Sequence, residues 1–98
     1  ALSSRITTQP DQFRLYQNYP NPFNPVTVIS YQVPATSSLE LSIYNLMGQK
    51  VATLVTASQP AGHYEVSWDA SGLPSGIYMY RLETNTGFSQ VKKLMLLK

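Results

Sequence analysis

At 98 residues the chain has room for one domain around one core, with no second unit beside it. It is 43% hydrophobic but only 12% charged, about half the usual charged share, so Ser, Thr, Asn and Gln must cover the surface, as in exported or surface-displayed modules. The net charge of +2 comes from 7 basic and 5 acidic residues without a basic stripe for nucleic acid, and the lack of cysteine excludes disulfides, thiolate metal sites and cysteine nucleophiles.

In chain order, ALSSRITTQP has no charged segment followed by an apolar block, so it is not a signal peptide. It reads as a polar linker over residues 1–12, with the domain over 13–98 and the chain as a module of something longer. FRLYQ is a short strand. QNYPNPFNPVT, residues 17–27, then sets Asn18, Asn21 and Asn24 among Pro20, Pro22 and Pro25. A flexible linker is rich in Gly and Ser, and this stretch has neither. Its prolines fix φ and push Tyr19, Asn21 and Asn24 toward extended or turn geometry. The asparagine side chains can bond the backbone groups that such a path leaves unpaired, and Tyr19 and Phe23 can anchor it. An ordered corner leading into the strand at Val26 is expected.

From there period-2 alternation dominates, and no window carries a helical stripe. VTVISYQV, residues 26–33, is rich in β-branched and aromatic residues and stops at Pro34. LELSIYN puts Leu39, Leu41 and Ile43 on one face, and Gly48 supplies the bend that follows. KVATLV puts Val51, Thr53 and Val55 together, with TASQPAG as the next loop. HYEVSW turns Tyr64, Val66 and Trp68 inward, against His63, Glu65 and Ser67. DASGLPSG is turn-rich, and Gly76 opens IYMYRLET, where Tyr78, Tyr80 and Leu82 share a face. NTG fits a tight hairpin loop, and FSQVKKLMLLK is the last run. The count is about seven antiparallel strands, which predicts an all-β, immunoglobulin-like β-sandwich, with an open barrel as the other choice. No apolar run is long enough for a transmembrane segment.

Few residues offer chemistry. His63 is the lone histidine, without the converging groups that a general base or a zinc site needs, and reads as an exposed strand residue. Asp11, Glu40, Glu65, Asp69 and Glu83 are scattered, and Asp69 in DASG reads as an Asx-turn acid. No serine sits in a nucleophile elbow and no glycines make a phosphate loop, so neither a catalytic residue nor a cofactor is assigned. The 7 Tyr, 3 Phe and 1 Trp could form a sugar-stacking platform, but aromatics alternating with aliphatics describe a core face, which places Trp68 inside. Lys92, Lys93 and Lys98 form a small terminal basic cluster whose plain reading is a solvated strand.

Three blocks gain meaning together. LYQNYPNPFNPVTVISYQVP, LSIYNLMGQKVATLV and AGHYEVSWDASGLPSGIYMYRLETNTGFSQVKKLMLLK resemble, in order and spacing, the C-terminal sorting domain (type A) of proteins exported by the type IX secretion system of Bacteroidetes and relatives. The likeness covers residues 13–98. The family's proline-asparagine opening corresponds to Asn18, Pro20, Asn21, Pro22, Phe23, Asn24 and Pro25, and its closing pattern to Gly76, Tyr78 and the terminal KKLMLLK. Its middle motif is similar to residues 44–51, where Asn45 stands for the usual Asp and Gln49 for a basic residue ahead of Lys50; both still suit a turn around Gly48. The immunoglobulin-like domain of the flagellar hook-capping protein shares two blocks, but the KKLMLLK ending and the linker-like start count against it.

The resemblance implies a non-catalytic tag behind a covalently linked passenger, recognised in folded form by the outer-membrane type IX machinery. In many members a sortase-like peptidase then removes the tag and the passenger is attached at the cell surface, after transit through the periplasm. The candidate recognition segment is Lys92, Lys93, Leu94, Met95, Leu96, Leu97 and Lys98, a terminal strand open to edge recognition or strand addition. The alternative is a carbohydrate-binding or spacer module of a surface glycoside hydrolase.

Overall fold

The computed structural model describes residues 12–97. Seven strands follow in order: β1 (Arg14–Leu15), β2 (Val26–Val33), β3 (Ser37–Tyr44), β4 (Lys50–Gln59), β5 (Gly62–Asp69), β6 (Gly76–Thr84) and β7 (Ser89–Leu96). They form a three-stranded sheet, β1-β2-β5, and a four-stranded sheet, β4-β3-β6-β7, with every strand pair antiparallel. Two separate sheets make an immunoglobulin-like sandwich rather than a barrel. No helix among the described residues is long and apolar enough to cross a membrane. All but the last residue of the expected linker, residues 1–12, lie outside the described residues, and so does Lys98.

The core forms where alternation turns apolar side chains between the sheets. Ile29, Tyr31 and Val33 of β2 meet Leu39, Leu41 and Ile43 of β3, Tyr78, Tyr80 and Leu82 of β6, and Leu94 and Leu96 of β7. Trp68 is buried as expected, its ring 5.8 Å from Phe23 and edge-on to Tyr78 at 6.1 Å. Offset and edge-on aromatic pairs of this kind add roughly 0.5–1.5 kcal/mol beyond the area they bury.

Two expectations fail on β4. Leu41 pairs with Val55, but Ser42 pairs with Thr53 and Tyr44 with Lys50, so Leu54 and Val51 are extra residues in the strand. Each bulge flips the alternation. Val55 and Ala52 therefore follow Leu41 and Ile43, while Thr53 stands exposed opposite Ser42. The stretch expected as a loop is also largely strand. β4 runs on to Gln59, pairing with Ser37, and only Pro60 and Ala61 separate it from β5. Polar residues suit this position because an edge strand faces water. At that crossing the Tyr31 hydroxyl donates to Gln59 Oε1 at 2.6 Å, tying one sheet to the other.

Candidate functional site

The proline-asparagine corner passes from one sheet to the other. On leaving β1 the chain stays beside β2: Tyr16 N–H donates to the Ser30 carbonyl, and Tyr19 and Val28 exchange both backbone bonds. It then crosses the sandwich, and Phe23 makes a parallel bridge with Leu96. The Tyr19–Pro20, Asn21–Pro22 and Asn24–Pro25 peptide bonds are cis. Such a path leaves backbone groups without ladder partners, and asparagine takes them up. Asn18, 2% exposed, donates from Nδ2 to the Pro20 carbonyl at 3.1 Å and to Thr27 Oγ1 at 3.0 Å, while its Oδ1 accepts from Gln17 Nε2. Thr27, fully buried, also donates to the Pro20 carbonyl. Phe23 anchors the corner in the core, but Tyr19 does not: its backbone is paired while its side chain is 80% exposed. Asn24 is exposed and Pro25 accepts from Ala70 N–H.

Against β7 this corner acts as a cover. Met95 N–H donates to Asn21 Oδ1 at 2.9 Å, and the Met95 carbonyl accepts from Phe23 N–H at 3.0 Å. Leu97 N–H donates to the Phe23 carbonyl at 2.9 Å, and Gln17 Nε2 reaches the Lys93 carbonyl at 2.7 Å. The strand edge expected to be open is therefore occupied from Lys93 to Leu97, and an added strand finds no free row there. The terminal segment is also divided by alternation. Leu94 and Leu96 are core residues, Lys93, Met95 and Leu97 are exposed, and Lys92, opposite Tyr80, is half-buried.

The middle motif is a turn held by one side chain. Asn45 Oδ1 accepts from Met47 N–H at 2.9 Å and Gln49 N–H at 3.0 Å, and Nδ2 donates to Gln49 Oε1. Gly48 sits at φ +82°, in the left-handed region that glycine adopts freely. Both departures from the family pattern thus serve the turn. Tyr78 is buried and donates to the Pro74 carbonyl at 2.7 Å, and Gly76 pairs with Leu96 at the start of β6. Asp69 accepts from Ser71 N–H at 2.9 Å, which is the Asx turn expected of DASG. His63 is an exposed residue of β5.

Charges gather on the outer face of the four-stranded sheet. Lys50 donates to Glu40, as does Ser42, and these bonds hold the Glu40 carboxyl below the usual carboxylate range. The same bond raises Lys50. Arg81 lies over the Tyr44 ring at 5.0 Å, donates to its hydroxyl at 2.9 Å and approaches Glu83 at 3.3 Å. Sequence reasoning passed over this face, although the unbroken apolar run in IYMY signals that both sides of β6 are covered or sticky.

A family model, the secretion system C-terminal sorting domain, matches residues 17–97, from the start of the corner to the end of the described chain. The chain belongs to that family. The sorting domain is thus a C-terminal signal for type IX secretion, as the three blocks implied, and its destination is the cell surface or the extracellular space. Among solved structures, PorZ, a bacterial surface component of the type-IX secretion system of Porphyromonas gingivalis, is similar at a TM-score of 0.60 and 19% identity. That alignment covers 86% of this chain and 11% of PorZ, and the likeness is one of fold. CopC from Methylosinus trichosporium OB3b aligns over 87% of this chain and 91% of its own, at 14% identity and a TM-score of 0.48. No curated protein matches the sequence.

Proposed function

We propose that this domain ends a longer exported protein, which crosses the periplasm with the sandwich folded, and that the outer-membrane type IX machinery reads the folded domain and passes the passenger to the cell surface. A sortase-like peptidase then removes the domain as the passenger is attached. The observation that carries this reading is the family match over residues 17–97, which takes in the corner and β2 to β7 together. The corner's enclosed Asn18–Thr27 network supports reading by shape, because a satisfied buried polar network fixes one geometry. Within the candidate segment, Lys93, Met95 and Leu97 are the side chains a reader could reach, with Leu94 and Leu96 holding the fold they stand on. Removing residues 93–98 would strip those two leucines from the core, so loss of export after truncation follows from loss of the fold.

The test is to fuse the whole chain behind a neutral reporter in a bacterium with an intact type IX system and in its counterpart without one. Reporter at the surface or in the medium is expected only with both the domain and the system. Equal export in the two strains, or none in either, would overturn the reading. A change in reporter mass on export would mark removal of the domain.

A further inference from the structure

We propose, resting on the sorting reading, that the outer face of the four-stranded sheet around Ile77, Met79, Val91, Lys93 and Met95 docks an apolar, carboxylate-bearing patch on the secretion machinery. Tyr78, Tyr80, Leu82 and Leu94 point inward, so their strand neighbours point out. The register then builds one surface: Ile77 stands opposite Met95, Met79 between Tyr44 and Lys93, and Arg81 opposite Val91. Val91 is 50% exposed and Met95 37%, and Leu46 and Met47 of the adjoining turn are more exposed still. The surface is notched rather than flat. One depression lies among Tyr44, Gly48, Met79, Arg81 and Val91, and another among Ile77, Lys93, Met95 and the corner residues Gln17 and Asn21. Methionines beside tyrosine and arginine match the composition of interface centres and adapt to a partner's shape.

The other outer face also exposes apolar side chains, with Val26 43% and Tyr19 80% exposed, but they stand among Arg14, Gln32, His63, Glu65, Ser67 and Asp69. On the four-stranded sheet the apolar side chains gather toward the Ile77–Met95 end, with Glu40 and Glu83 at the other. A contiguous apolar surface on a small domain marks an interaction site. Charge decides what the partner is. At the polar end of the face, Glu40 is matched by Lys50 and Glu83 by Arg81. Lys93, amid the apolar side chains, has no carboxylate partner among the described residues. Two copies docked through this face would bring their unmatched lysines to one apolar interface, whereas a carboxylate would be drawn to it. Because the corner occupies the β7 edge from Lys93 to Leu97, docking beside that edge uses side chains and not strand addition.

The test uses the full chain fused to a reporter in type IX-competent cells. Val91→Glu with Lys93→Glu puts two negative charges on the face, and Ser67→Glu puts one on the opposite face. Export is expected to fall roughly tenfold or more for the double variant, the scale of losing a central contact, and to stay at the parent level for Ser67→Glu. Unfolding midpoints of purified protein should match the parent in both. A folded double variant exported at the parent level overturns the docking face while leaving the sorting reading intact, whereas failure of the parent fusion itself overturns both. Should the double variant unfold, a photo-crosslinking residue at Val91 decides. Adducts with an outer-membrane component that vanish in the strain lacking the system support the proposal. Adducts equally strong from Ser67, or a dimer of the parent chain by sedimentation, overturn it.

Discussion

Asn18 carries more of the corner than any proline around it. The prolines limit the path, but the Asn18 amide gathers the Pro20 carbonyl, Thr27 Oγ1 and Gln17 Nε2 around one site only 2% exposed. Asn18→Ala removes three hydrogen bonds from this enclosed site, at a cost of about 1–3 kcal/mol. Urea unfolding should show a lower midpoint with an unchanged slope; an unmoved midpoint would mean that water replaces the amide without penalty. Asn45 makes a different case because its turn is at the surface. The two N–H donors of Met47 and Gln49 need an oxygen, and a carboxylate supplies one as well as an amide does. Asn45→Asp, which restores the residue usual in the family, should therefore lie within about 0.5 kcal/mol of the parent, and Asn45→Ala should lose about 1 kcal/mol. Thermal unfolding of the pair checks this, and equal losses would place the stabilisation in Nδ2 instead.

At the scale of elements, the sequence is most legible where a strand is central and its inner face is aliphatic. β2 falls on residues 26–33 as read, and the inward sets of β3, β5 and β6 are those the alternation picked out. Legibility fails at β4, where two bulges reverse the phase and no residue type announces them. It fails again at the corner's far side. That Asn21 and Phe23 close the edge of β7 depends on partners 74 residues apart for the Asn21–Met95 bond, which local pattern cannot reach. The terminal segment was legible as a unit of charge and position, but only the register with β6 divides it into buried Leu94 and Leu96 and outward Lys93 and Met95. The edge closure makes its own prediction. Phe23 is buried against Trp68, so Phe23→Ala should cost about 3–5 kcal/mol through the cavity it leaves. It should also unfasten the strip, because Phe23 N–H and C=O pair with Met95 and Leu97. Amide exchange at Leu97, just past β7, should then accelerate beyond the rise shared by that strand. A uniform rise along the strand would mean that the corner covers the edge without securing it.

For the whole molecule, the two sheets and the corner meet at one phenol. Tyr80 is fully buried on β6, and its hydroxyl donates across the sandwich to the Tyr16 carbonyl at 2.6 Å. Burial pushes this phenol up to about 12 from its ordinary 10.0, more than the Asn18 backbone bond pulls it down. Tyr31 moves in the same direction, chiefly by burial, with the Gln59 bond opposing. Since the folded value lies above the unfolded one, the contribution is complete below pH 10 and is lost as pH climbs toward about 12, because the unfolded chain gives up protons that the folded chain retains. On the acid side the lowered Glu40 works with the opposite sign, present above its ordinary 4.5 and lost as pH falls, but that pair is open to water and its effect should be small. The sandwich should therefore tolerate acid better than alkali. Unfolding free energy measured from pH 8 to about 12 should hold level and then drop, with the share of phenolate absorbance that Tyr80→Phe removes rising together with unfolding instead of ahead of it. Tyr80→Phe separates the causes. It gives up the bond to Tyr16, about 1 kcal/mol at neutral pH, yet removes the main ionisable group, so its alkaline decline should be shallower than the parent's. Parallel declines would show that the enclosed Tyr80 phenol is not what alkali attacks.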